Sequence, residues 1–207
     1  MPKRAWFPLL AFVFACLMGG ESLAQNLVSN PGFEASDLSA WTITTDSPDG
    51  AAIAIYNSLA FSGTQCVYFA QTGYFDHLTQ TISTLVGQTY TLTFMVAANP
   101  DFTPSPGAVQ QFEVFWGGTR IYSRSDNASH PYQQISVLNL SASGASTLLT
   151  FSGRNDPGAY YLDDVSLTAS GMAVVPVPES STWVVAAAAA AWLVRGCFVR
   201  RRRPTGV

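Results

Sequence analysis

Aromatic rings beside planar polar groups are the residues of this chain best suited to holding a ligand. Rings stack on the C–H faces of sugars, and amide or guanidinium groups fix the hydroxyls. Tyr56, Tyr74, Phe75, Phe102, Trp116 and Tyr122 supply rings, and Gln110, Gln111 and Arg120 supply planar polar groups. Tyr56, Tyr74, Trp116, Tyr122, Arg120 and Gln111 form the candidate ligand-binding set. Trp41 opens an alternating segment and is expected in the core. The proline-rich stretch from Asn99 to Gly107 is a candidate rim, because long connections often carry binding.

Signals for catalysis are sparse. Asp76-His77 and Ser129-His130 are adjacent pairs, but a triad is assembled in space and neither pair identifies one. The chain has no Gly-x-Ser-x-Gly elbow, no His-Glu-x-x-His and no phosphate loop. A hydrolase would need two carboxyl groups at a catalytic separation, which sequence does not reveal. The chain is therefore read as no enzyme. Between the two ends Cys66 is the one cysteine, since Cys16 and Cys197 lie in the terminal segments. Its alternating setting, Gln65 to Phe69, marks it as a small buried hydrophobe.

Charge narrows the partners. The 207-residue chain carries a formal charge of −3, but both ends are basic. From Gln25 to Val175 the only cations are Arg120, Arg124 and Arg154, against eleven carboxylates, leaving −8 and no lysine. Such a body has no electrostatic footprint for nucleic acid. Its carboxylates suit a hard, oxygen-seeking cation such as calcium.

These residues must be positioned by strands. From Asn26 to Ala169 the apolar period is two. Strands are predicted at Trp41–Thr45, Ala52–Tyr56, Cys66–Ala70, Leu78–Ile82, Tyr90–Ala97, Gln111–Trp116, Thr119–Tyr122, Tyr132–Leu140, Ser146–Ser152 and Tyr160–Thr168. Gly117-Gly118 joins two of them as a tight hairpin, since both glycines tolerate positive φ. Turn residues such as Asp46-Ser47-Pro48-Asp49-Gly50 and Asn155-Asp156-Pro157-Gly158 separate others. The expectation is an all-β jelly-roll sandwich of about ten strands. In an extended last strand, Asp163 would share a face with Val165 and Leu167, and Asp164 would point the other way.

The ends of this body carry a resemblance. Asn26-Leu27-Val28-Ser29-Asn30-Pro31-Gly32-Phe33-Glu34 with Trp41, the turn Phe61-Ser62-Gly63-Thr64 and the closing Tyr161-Leu162-Asp163-Asp164-Val165 resemble carbohydrate-binding modules of the CenC type, which are galactose-binding-like jelly rolls. Pro31 replaces a glycine of that pattern, and Ala40 stands where a glycine precedes the tryptophan. The resemblance implies first and last strands side by side, with a structural calcium held by Glu34, Asp163 and Asp164. The alternative is an aspartate-bearing strand end that accepts backbone N–H groups.

The terminal segments speak of delivery. Lys3 and Arg4, an apolar run to Gly20 and Ser22-Leu23-Ala24 read as a signal peptide over 1–24. Phe14 is a poor lipobox residue two positions before Cys16. The sandwich is assigned to 25–170 and a Pro/Ser linker to 171–182. A transmembrane helix follows over 183–199 and a basic cytoplasmic tail over 200–207. Pro176-Val177-Pro178-Glu179-Ser180-Ser181-Thr182, an apolar helix and an arginine cluster resemble the PEP-CTERM sorting signal of Gram-negative bacteria, with Pro178, Glu179 and Ser180 as the motif core and Ser180 in place of its second proline. That resemblance implies an exosortase-type membrane protease as partner. It also implies transient inner-membrane anchoring, then release to the surface or matrix; a permanent C-terminal anchor is the plainer alternative. The expected function is a non-catalytic module for carbohydrate or exopolysaccharide. The alternative is a structural matrix or surface protein without specific sugar binding.

Overall fold

The computed structural model describes residues 25–35, 37–98, 109–126 and 128–170. Ten strands form: β1 (Thr42–Thr45), β2 (Ile53–Tyr56), β3 (Cys66–Phe69), β4 (Asp76–Ser83), β5 (Thr89–Ala98), β6 (Val109–Trp116), β7 (Thr119–Asp126), β8 (His130–Ser141), β9 (Ser146–Asp156) and β10 (Tyr160–Ala169). Each expected strand is present, with ends moved by at most a few residues. Alternation is the cause: along β4, Leu78, Gln80 and Ile82 are buried while Thr81 and Ser83 face solvent.

The strands make two five-stranded sheets, ordered β1-β4-β9-β6-β7 and β2-β3-β10-β5-β8. All pairings are antiparallel. Only β2–β3 and β6–β7 are consecutive strands within one sheet, so every other connection crosses the sandwich. The β6–β7 turn uses Gly117 at φ 56° and Gly118 at φ 81°, as a type I′ turn requires.

The inner faces meet in an aromatic core. Phe94, Phe112 and Phe151 are mutually within 5.3–6.2 Å, and Phe69 and Tyr160 close on Phe112 at 5.7 and 5.2 Å. Trp41 joins them as expected, 6.1 Å from Phe151 and 5.6 Å from Phe33. Each such side chain contributes about 1.5–3 kcal/mol through burial.

The start of the body lies along its last strand. Leu27 N–H donates to the Leu167 carbonyl and Val165 N–H to the Pro31 carbonyl, each at 2.9 Å. The Asn26 amide adds two bonds, to the Val165 carbonyl and from the Leu167 N–H. Gln80, turned inward from β4, ties this segment down by accepting from Ser29 N–H and donating to the Ser29 and Ala40 carbonyls.

One local expectation fails. The β10–β5 register shifts between Asp163 and Ser166, and Asp164 adopts φ 47°. This bulge reverses the alternation, so Leu162 and Val165 both face the core while Asp163 lies on the outer face. Asp163 is nonetheless fully buried, because a loop covers it.

No helix among the described residues is long and apolar enough to cross a membrane. The expected signal peptide (1–24), linker with Pro178, Glu179 and Ser180, helix (183–199) and basic tail (200–207) lie outside the described residues, as do the Asn99–Gly107 rim and Phe102.

Candidate functional site

The loop between β2 and β3, residues 57–65, straps the outer face of the second sheet. Three carboxylates hold it. Glu34 Oε1 accepts from Thr64 N–H at 2.7 Å and Gln65 N–H at 2.8 Å, and Oε2 accepts from the Thr64 hydroxyl at 2.7 Å. Asp163 Oδ2 accepts from Phe61 and Ser62 N–H at 2.8 and 3.1 Å, and Asp164 Oδ1 from the Ser62 hydroxyl at 2.7 Å. Tyr132 on β8 secures the strap's far side by donating to the Leu59 carbonyl at 2.8 Å. Cys66 and Asp163 are thereby buried, and Phe61 remains half exposed against Tyr132.

The electrostatics follow from these bonds. The Thr64 hydroxyl, then the Gln65 and Thr64 N–H groups, hold the Glu34 carboxyl below its ordinary range. Burial pushes the Asp163 carboxyl up, against the pull of the Ser62, Asp164 and Phe61 N–H donors and with help from the Asp164 charge. Glu34, Asp163 and Asp164 thus all hold the same strap; Glu34 and Asp163 accept amide donors as the alternative implies, and Asp164 accepts the Ser62 hydroxyl. A methyl group on Gly32 would lie 3.6 Å from Asp164 Oδ1, 3.9 Å from Asp163 Oδ1 and 3.9 Å from Glu34 Cγ. Two of these three atoms are aspartate oxygens, the donor type calcium prefers, while the nearest Glu34 atom is a carbon, its carboxylate being turned to the strap. Among the described residues no group of three or more His, Cys, Asp or Glu side chains is placed to hold a metal ion.

The outer face of the first sheet bears a different arrangement. Register places Ser123, Glu113, Ser152, His77 and Thr44 in one row across β7, β6, β9, β4 and β1. Glu113 is nearly buried, and its Oε1 accepts from Arg120 Nη1 at 2.8 Å, Gln111 Nε2 at 3.0 Å and, at 3.5 Å, the Ser123 hydroxyl. Glu113 Oε2, Gln111 Oε1 and the other guanidinium donors of Arg120 meet no partner among the described residues. Two strands away His77 Nδ1 shares a 2.7 Å bond with Ser152 Oγ, and Nε2 lies 3.3 Å from Asp46 Oδ1. The imidazole stacks on Phe75 with ring centroids 6.5 Å apart. Ser152 is 1% exposed, so this Ser–His–Asp line does not present a nucleophile to solvent. A groove of about 450 Å³ continues the face beside β1, lined by Thr42, Thr79, Thr81 and Ser83 with Leu27 and Ser29.

The candidate ligand set therefore separates. Gln111 and Arg120 converge on Glu113, which the sequence reading missed; its position two residues after Gln111 on an alternating strand was the available signal. Trp116 is a core residue instead. It is 5% exposed, packs on Tyr90 at 5.7 Å and donates Nε1–H to the Ser141 carbonyl, because Phe112, Val114 and Trp116 share the inward parity of β6. Tyr122 is half-buried and turns its ring to Phe94 at 5.7 Å, so it too packs on the core. Tyr74 is 45% exposed on the loop before β4. Tyr56 lies on the second sheet, remote from Arg120. The adjacent Asp76 and His77 point to opposite faces: Asp76 is buried and accepts from Ala52 N–H at 2.6 Å. His130 is buried, and its Nδ1 donates to the Pro131 carbonyl.

No protein-family model matches the sequence, and no curated protein matches it. Solved structures do share the fold. A family 61 carbohydrate-binding module in complex with β-1,4-galactotriose is 19% identical with a TM-score of 0.51, over 71% of this chain and 100% of that one. The enzymatically active domain of tailspike protein 4 of bacteriophage CBA120 is 15% identical with a TM-score of 0.53, over 70% of this chain and 21% of that one. The K1 cleaved adhesin domain of Lys-gingipain from Porphyromonas gingivalis is 14% identical with a TM-score of 0.52, over 72% of this chain and 98% of that one. The β-sandwich is thus one that carbohydrate-binding modules use. One fold in three different proteins leaves function to the site.

Proposed function

We propose that this chain is an exported, non-catalytic carbohydrate-binding module whose ligand lies across the outer face of the first sheet. The observation that carries the reading is the Gln111–Glu113–Arg120 cluster. Glu113 is pinned through one oxygen, so its second oxygen and the open Arg120 donors are held ready, side by side, for neighbouring hydroxyls. Preorganised polar groups cost little ordering entropy on binding. His77 stacked on Phe75, the threonine-lined groove and Arg154 extend the same face, which no strap crosses among the described residues. The fold shared with a galactotriose-binding module supports the reading. An acidic, lysine-free body turns it away from nucleic acid.

Affinity electrophoresis through gels containing β-1,4-galactan, xylan or mixed-linkage β-glucan tests this. At least one polymer should retard the protein, and Arg120→Ala should weaken retardation. No retardation by any neutral or matrix polysaccharide, together with self-association, would return the chain to a structural matrix role. Calcium belongs to the same proposal, as a staple between Gly32, Glu34, Asp163, Asp164 and the strap. Chelation should then lower the unfolding temperature, and added calcium should restore it; an unchanged melt means the amide donors suffice. For delivery, the motif at Pro178, Glu179 and Ser180 implies processing by an exosortase-type protease. Membrane retention with and without such a protease decides between release to the surface or matrix and a permanent anchor.

A further inference from the structure

The opposite face of the sandwich carries a second aromatic surface. Tyr161 on β10 stands opposite Tyr68 on β3, and Tyr68 opposite Ala54 on the edge strand β2. Tyr56, two residues further along β2, reaches both tyrosines, with ring centroids 5.7 Å from Tyr68 and 5.7 Å from Tyr161. Diagonal neighbours on a sheet lie within reach of long aromatic side chains, and this trio is such a set. Tyr56 is 38% exposed, and Tyr68 and Tyr161 are half-buried. The Tyr56 and Tyr68 hydroxyls donate to no group among the described residues. Among the described residues only the small Ala54 side chain stands on the edge-strand side of the cluster, and the strap's hydrogen bonds fall elsewhere on the face, at Asp163, Asp164, Glu34 and Tyr132. No charged side chain occupies the outer positions Ala54, Tyr56, Tyr68 and Tyr161, although the body as a whole is at −8.

We propose that Tyr56, Tyr68 and Tyr161 form a second carbohydrate site, so that one molecule joins two strands of an uncharged polysaccharide. The inference rests on the reading of the first sheet as a glycan-binding face. The occupant follows from the surface chemistry. An uncharged patch on an acidic body matches a neutral partner, ring faces match sugar C–H faces, and the Tyr56 and Tyr68 hydroxyls match sugar hydroxyls. The two sites lie on opposite outer faces of a two-layer sandwich, so they cannot share one short stretch of ligand. A bivalent protein in a dense polymer gains avidity of about 10²–10⁴ over either site alone.

The test uses the full-length protein with β-1,4-galactan, xylan and mixed-linkage β-glucan, read by affinity electrophoresis and by light scattering of protein–polymer mixtures. Wild type should be retarded and should raise scattering through cross-linking at intermediate ratios. The double variant Tyr56→Ala/Tyr68→Ala should still be retarded through Arg120 and Glu113, but with apparent affinity lower by about a hundredfold and no cross-linking. Arg120→Ala should lose cross-linking in the same way. Tyr56→Phe/Tyr68→Phe keeps the rings, guards against misfolding and should retain most of the cross-linking. If no polymer retards wild type, the first site and this one fall together. If wild type is retarded but the tyrosine variants match it in both readouts, the second site alone is overturned.

Discussion

Gly63 shows how tightly single residues hold the strap. It sits at φ 62°, and a methyl group there would collide with Glu34 Oε1. Gly63→Ala therefore meets left-handed backbone strain of about 1–2 kcal/mol and displaces the Glu34 carboxylate. Thermal unfolding should register a fall of about 4 °C or more, at about 2–4 °C per kcal/mol for a domain of this size. Glu34 also gives the strap a pH dependence. Its carboxyl is held low in the folded state, so it stabilises the fold above its unfolded pKa, and that contribution is lost as pH falls through the folded value. Wild type should melt above Glu34→Gln at neutral pH, and the two curves should converge in acid. Asp163, held high by burial, has the opposite sign: its contribution is present in acid and lost as pH rises through its folded value. It is common to both chains, so the difference between them isolates Glu34. Parallel curves at all pH values would remove the charged clamp.

At the scale of elements, closeness of the two sheets depends on a missing side chain. A methyl group on Gly153 of β9 would sit 2.7 Å from Phe69 Cβ of β3. Gly153→Ala should overpack the interface by about 1–3 kcal/mol, lowering the denaturation midpoint in urea without changing its slope. Strands were readable because apolar residues recur at every second position, as at Tyr90, Leu92, Phe94 and Val96, and alternation is what a half-buried strand writes into its sequence. The Gly117-Gly118 hairpin was readable for the same local reason. Parity beyond a bulge was not: nothing in Asp163-Asp164-Val165 marks the φ of 47° that reverses the pattern. Nor does composition separate a core ring from an exposed one. Trp116 and Tyr56 both end alternating strands, yet one faces the core and the other solvent. Gln111 and Arg120 were visible as polar groups, but their meeting at Glu113 depends on pairing β6 with β7.

The whole molecule is shaped by its charge. A body at −8 with three arginines repels itself, and much of that repulsion acts between exposed groups within a Debye length of about 10 Å at 0.1 M salt. Raising the ionic strength tenfold from about 0.05 M should therefore raise the unfolding temperature. A fall would mean that ion pairs such as Arg120–Glu113 and Arg154–Asp156 outweigh the repulsion. The pairing of Leu27 with Leu167 and of Pro31 with Val165 joins the two ends of the body. A ribosome adding about 5–20 residues per second must finish β10 before the segment laid down first finds its neighbour. Until that strand has been made, then, the nascent polypeptide lacks its keystone, and its opening segment has no edge to lie against.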